Sequence, residues 1–64
     1  MSYSEIKELV EDKTLPLSAT ADSGEYVIIE GGGACYRLTT IQNNGWLRIN
    51  EFYEDGTVTE TYER

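Results

Sequence analysis

The sequence predicts an α+β domain in which one short N-terminal helix packs on an antiparallel β-meander of four or five strands, a sheet with room to curl into a small barrel. Apolar side chains recur at helical spacing in the first 13 residues. Runs of strand-forming residues follow from residue 15 to the end, and glycine-containing turn signals separate most of them. A chain of 64 residues is the size of a single domain, here 1–64.

The helix is predicted to run from Tyr3 or Ser4 to Asp12 or Lys13. Ser2 followed three positions later by Glu5 matches a capping box, in which two side chains satisfy free amides at a helix start. A rotation of about 100° per residue separates an apolar side from an acidic side. The apolar side carries Ile6, Leu9 and Val10 with Tyr3 at its edge, and the acidic side carries Glu5, Glu8, Glu11 and Asp12.

Two strands are predicted next. Residues 15–21 alternate apolar and polar side chains, and Pro16 assigns them to a sheet edge because proline cannot donate to a ladder. Residues 25–30 form the most apolar run and are predicted to be a central strand. Gly31-Gly32-Gly33 then ends that strand. A phosphate cradle would need a helix and a lysine after the glycines, so we interpret them as a flexible hairpin connection.

The central hairpin joins residues 34–42 to residues 46–54 through Asn43-Asn44-Gly45. A two-residue Asn-Gly turn, which we prefer, pairs Ile41 with Arg48 and Arg37 with Phe52. One face then carries the core residues Tyr36, Leu38, Thr40, Leu47, Ile49 and Tyr53. The other face combines aromatic and arginine side chains, namely Arg37, Trp46, Arg48 and Phe52. A three-residue loop would instead place Arg37 opposite Glu51 and separate the two arginines.

The last strand, residues 57–64, alternates threonine with other residues as a solvent-tolerant edge strand does. Glu54-Asp55-Gly56 fits two kinds of turn. A two-residue turn makes Glu51 face Glu60, a like-charge pair that would suit a cation or an arginine. A type I turn followed by a glycine bulge removes that pairing.

Composition narrows the function classes. Twelve Asp and Glu against five Lys and Arg give a net charge of −7, which opposes direct nucleic-acid binding and favours a protein partner with a basic surface. The chain has no histidine, so imidazole catalysis is absent, and we expect no enzyme, cofactor or metal. The chain has a single cysteine, Cys35, which fits a reducing cytoplasm. Arg37, two residues along, could favour a thiolate, but we interpret Cys35 as a small apolar strand residue. Neither a signal peptide nor a membrane span is predicted.

The predicted function is that of a small, acidic, non-enzymatic inhibitor. It would occlude a basic surface of a target protein, such as one that binds nucleic acid, by mimicking phosphates, as proteins of phages and mobile elements do. The alternative is a structural or regulatory homodimer that pairs through an uncovered sheet face or edge strand. A further alternative is that Trp46 and Phe52 fill the core of the protein and do not contact a partner. The predicted partner-binding residues are Glu5, Glu8, Glu11, Asp12, Arg37, Trp46, Arg48, Glu51, Phe52, Glu54, Asp55 and Glu60.

Overall fold

The computed structural model describes all 64 residues. They form one helix and one five-stranded sheet with short connections between them. The elements are α1 (Tyr3–Val10), β1 (Leu17–Thr20), β2 (Tyr26–Gly32), β3 (Cys35–Ile41), β4 (Leu47–Tyr53) and β5 (Val58–Glu63). The strands are antiparallel and neighbour one another in chain order. The α+β prediction is therefore confirmed. The sheet is not closed into a barrel, because β1 and β5 remain its two edges.

Helix α1 begins as the sequence predicts and ends earlier. The Ser2 side chain caps it by accepting a hydrogen bond from the Glu5 amide at 3.3 Å. The predicted end at Asp12 or Lys13 is wrong, because the regular helix stops at Val10 and the Lys13 amide donates to the Val10 carbonyl at 3.0 Å. Residues Glu11 to Lys13 thus form the turn that leads away from the helix.

One stripe of α1 packs on the sheet. Ile6 and Val10, one turn apart, are buried, and Tyr3 packs beside them. Leu9 was predicted to point inward, but it is 52% exposed. On the helix surface Leu9 lies about 60° from Ile6, on the side away from Val10, and so falls outside the buried stripe. The buried cluster is completed by side chains of β2, β3 and β4, which are Ile29, Tyr36 and Phe52.

Three of the four hairpins have the same three-residue loop. Each loop begins with a hydrogen bond from a glycine amide to the carbonyl three residues earlier, and each glycine has a positive φ of 89°, 89° or 95°. This is a type I turn followed by a glycine bulge, a common hairpin connection. The three loops are Asp22-Ser23-Gly24, Asn43-Asn44-Gly45 and Glu54-Asp55-Gly56.

A polar side chain closes each of these loops in the same way. The middle residue accepts a hydrogen bond from the amide that follows the glycine. The distances are 3.4 Å for Ser23, 3.0 Å for Asn44 and 2.9 Å for Asp55. Short polar side chains favour such turns because they can bond the backbone two residues ahead.

The preferred register of the central hairpin is wrong. The Gln42 amide donates to the Trp46 carbonyl, so the loop between them has three residues and not two. Thr40 therefore pairs with Arg48, and Arg37 pairs with Glu51. The one-residue shift moves every β4 side chain to the other face relative to the prediction.

The last hairpin has the bulged turn at Glu54-Asp55-Gly56, the second of the two turns that the sequence allows. Asn50 pairs with Glu60 and Glu51 pairs with Thr59, so Glu51 and Glu60 lie on opposite faces of the sheet. The predicted like-charge pair, and the cation site that it would have formed, are thus absent. The bulged turn removes the electrostatic cost of that pair.

The remaining hairpin uses the triple glycine. Gly31 and Gly32 were predicted to end β2, but they belong to it, and Gly33-Ala34 alone connect β2 to β3. Gly31 has a φ of +99°, and a Cβ atom there would lie 2.7 Å from the Cys35 carbonyl oxygen. Glycine is required at this position by both the backbone angle and the close approach of β3.

The register defines two faces. The helix-side face carries Ile29, Leu38, Tyr36 and Phe52, which contact α1 or surround its contacts. The opposite face, called the open face here, carries no covering element. Its side chains on the three central strands are Tyr26, Ile28, Glu30, Cys35, Arg37, Thr39, Ile41, Leu47, Ile49, Glu51 and Tyr53.

Candidate protein-binding surfaces

The carboxylates of α1 and its following turn all face solvent. Glu5 and Glu8 lie on the outer side of the helix, Glu11 is its C-cap, and Asp12 follows in the turn. All four side chains are exposed. They are placed as the sequence predicts, opposite the stripe that packs on the sheet.

The loop between β4 and β5 lies beside the first turn of α1. The Glu54 amide donates to the Ala34 carbonyl at 2.9 Å, and the Tyr3 hydroxyl donates to the adjacent Gly33 carbonyl. Desolvation against the sheet, and then the nearby Glu54 carboxylate, raise the pKa of Tyr3. The loop that carries Glu54 and Asp55 thus lies beside Tyr3, at the start of the helix that carries Glu5 and Glu8. We call the combined set Glu5, Glu8, Glu11, Asp12, Glu54 and Asp55 the acidic surface.

Asp55 is held in its ionised form. The Thr57 amide donates to its carboxylate, and this hydrogen bond lowers the pKa of Asp55. The same contact that closes the turn thus keeps the negative charge at the tip of the loop.

An apolar depression lies within the acidic surface. It has a volume of about 420 Å³ and is lined by Met1, Glu5, Glu8 and Leu9. Met1 is 65% exposed and Leu9 is 52% exposed. An open depression on the outside of a helix does not enclose a small molecule, but two apolar side chains beside two carboxylates offer a contact for another protein.

The predicted face of aromatic and arginine side chains does not form. Phe52 is 4% exposed and belongs to the core under α1. Arg37 lies on the open face, whereas Trp46 and Arg48 follow the other face of the hairpin. The core alternative is thus correct for Phe52, and the partner-contact prediction for its side chain is withdrawn.

Trp46 has a contact that sequence reasoning missed. The Arg64 guanidinium lies over its ring, 5.4 Å from the ring centroid, within the range of a cation–π interaction. The pairing of Leu47 with Glu63 brings the two residues together. The sequence left the register of the last hairpin open. Its bulged alternative gives the observed pairing and would have predicted that Trp46 and Arg64 are neighbours.

Glu51 and Glu60 have separate environments. Glu51 accepts a hydrogen bond from the Thr59 hydroxyl at 3.3 Å and, as the largest cause, raises the pKa of the neighbouring Tyr53. Glu60 accepts from the Asn50 side chain at 3.2 Å on the opposite face. Neither carboxylate is joined to the acidic surface by any of these contacts.

The open face carries an apolar patch that the preferred register concealed. Two adjacent cross-strand rows contain Ile28, Thr39 and Ile49, and Tyr26, Ile41 and Leu47. Tyr26 is 44% exposed and Ile41 is 38% exposed, Ile28 and Leu47 are half-buried, and Ile49 is 4% exposed. We call Tyr26, Ile28, Ile41, Leu47 and Ile49 the apolar patch.

No three or more Asp, Glu, Cys or His side chains are grouped so as to hold a metal ion. None of the helical residues forms a segment long and apolar enough to cross a bilayer. Comparison with protein-family models, with curated proteins and with solved structures gave no match.

Proposed function

We propose that this protein is a binding module that occludes a basic surface of a target protein through its acidic surface. It would act as an inhibitor, and a nucleic-acid-binding surface is the most suitable target because carboxylates can take the place of phosphates. The observation that carries the proposal is that the carboxylates of α1 and its following turn are all exposed, with the loop of Glu54 and Asp55 beside the first residue of that helix. Exposed carboxylates on the helix and on this loop attract a basic partner at a distance and orient it on approach.

The apolar depression supports the same proposal. Met1 and Leu9 line it together with Glu5 and Glu8, so apolar contact and charge occur together. Charge alone mainly accelerates association, whereas a desolvated apolar contact slows dissociation. A partner with an apolar side chain surrounded by lysine or arginine would use both.

The test begins with capture of a target from a lysate of the organism that encodes the chain, followed by mass spectrometry. The affinity of the purified target is then measured in about 50 mM and about 500 mM NaCl, and we expect it to weaken by about tenfold or more because salt screens exposed charges. If the target binds nucleic acid, a DNA or RNA duplex should compete with the module. An affinity that does not change with salt would refute the proposal.

A matched pair of variants locates the contact. Reversing Glu8 and Glu11 to lysine should weaken binding by about tenfold, since each change replaces attraction with repulsion at the partner's basic surface. Reversing Asp22 and Glu25 to lysine changes the net charge by the same amount in the loop between β1 and β2, outside the acidic surface. Equal losses in both variants would show that only net charge matters, and not this surface.

A further inference from the structure

The apolar patch of the open face is a second contact surface with its own charge pattern. On one side, the next row across the strands contains Glu30, Arg37 and Glu51. On β5, Glu63 pairs with Leu47 at the other margin. Three carboxylates and one arginine therefore lie along two sides of the five apolar side chains, and the single arginine lies between two of the carboxylates. The rim has a net negative charge.

We propose that the open face binds an amphipathic helical segment of the target, with an apolar stripe flanked by lysine or arginine. This inference rests on the proposed function because it assumes a basic target, and it adds a contact on the side of the sheet that α1 leaves uncovered. The apolar stripe would cover the patch, and its flanking cations would meet Glu30, Glu51 and Glu63.

Dimensions favour a helix as the occupant. The patch spans three neighbouring strands, a width of about 10 Å at roughly 4.8 Å between strands. An α-helix with its side chains has a diameter of about 10 Å, so a single helix covers this width. A second helix on the open face would also complete the arrangement of one helical layer on each side of a sheet.

Charge selects against a second copy of this chain. Each copy has a net charge of −7, and face-to-face pairing would bring two rims of three carboxylates and one arginine together. Like charges in close apposition across an interface cost several kcal/mol, roughly. The same rim repels the anionic surface of a membrane. A cationic amphipathic segment satisfies the apolar patch and the rim at once.

The test uses two synthetic peptides of about 15 leucine and lysine residues, a length of about four helical turns. One is arranged as an amphipathic helix, and the other has the same composition in an order that disperses the leucines. Methyl NMR spectra of the full chain are recorded with each peptide. We expect the amphipathic peptide to shift the methyl signals of Ile28, Ile41, Leu47 and Ile49, and the dispersed peptide to leave them unchanged.

A pair of variants controls for folding and for charge. Ile41→Asp should reduce affinity for the amphipathic peptide by about tenfold, because it places a charge in the patch at a side chain that is 38% exposed in the free protein. Val58→Asp makes the same kind of change at a 51% exposed aliphatic side chain of β5, on the helix-side face. Its affinity should stay within about twofold of the original, as expected for a change away from the contact.

Several outcomes would overturn the inference and leave the proposed function standing. If both peptides bind equally, or if the Leu9 methyl signals shift in place of those of the patch, the contact is electrostatic or lies on the acidic surface. If the patch signals shift with protein concentration alone, its occupant is a second copy. Salt-insensitive binding of the captured target, by contrast, would refute the proposed function whatever the peptides do.

Discussion

Gly31 illustrates how one residue determines the path of the chain. It lies inside β2 with a φ of +99°, and the backbone of β3 passes so close that a Cβ atom would meet a carbonyl oxygen at 2.7 Å. Gly24 has a similar φ of +89° in the first loop, but nothing lies within 4 Å of its Cβ position. The two glycines therefore separate the cost of the backbone angle from the cost of the contact.

Replacing Gly31 with alanine should lower the free energy of unfolding by about 3 kcal/mol, because strain from the positive φ adds to the clash with β3. Gly24→Ala should cost about 1 kcal/mol, the strain alone. Urea unfolding followed by tryptophan fluorescence measures both. Equal losses would mean that β3 can move away from Gly31 without cost.

Some features of the helix and the loops follow from the local sequence, and others do not. Ser2, together with the apolar spacing of Ile6 and Val10, is sufficient to predict where α1 begins and which side it buries. Its end at Val10 and the exposure of Leu9 differ from what the local sequence predicts. The loops are local too, since Ser23, Asn44 and Asp55 all close them in the same way.

Helix α1 supplies a test at this scale. The Ile6 side chain lies on the side of α1 that packs on the sheet and is fully buried. Ile6→Ala should therefore lower the free energy of unfolding by about 3 kcal/mol through lost burial and the cavity left behind. Leu9→Ala, one turn along the same helix and 52% exposed, should cost less than about 1 kcal/mol. Thermal unfolding by circular dichroism compares them, and a larger loss for Leu9 would contradict the described orientation of α1.

At the scale of the whole molecule, charge and size dominate. Only seven of 64 residues are buried, so the core is small and repulsion among acidic side chains is a large fraction of the balance. The same repulsion makes a basic partner favourable and a second copy unfavourable. Binding and stability should therefore respond to salt in opposite directions.

Raising NaCl from about 20 mM to about 500 mM should increase the free energy of unfolding by about 1 kcal/mol, because salt screens repulsion within the compact state. Urea denaturation at each NaCl concentration measures the free energy of unfolding, because urea is uncharged and does not change the ionic strength. Potassium chloride at the same ionic strength serves as the control and should have the same effect. A decrease in stability with salt would show that attractive ion pairs, and not net repulsion, govern the folded state.

The sequence by itself determined the class of fold, the order of its elements, the start of α1 and the excess of negative charge. These follow from local spacing, turn residues and composition, which act over a few positions at a time. Only the tertiary structure decided the register at Asn43-Asn44-Gly45, and with it the burial of Phe52, the separation of Arg37 from Arg48 and the apolar patch on the open face. Two loop geometries were compatible with the same three residues, and a shift of one position exchanges the faces of a strand. Packing of Tyr36 and Phe52 under α1 selects between them, because only one register places both side chains on the covered face.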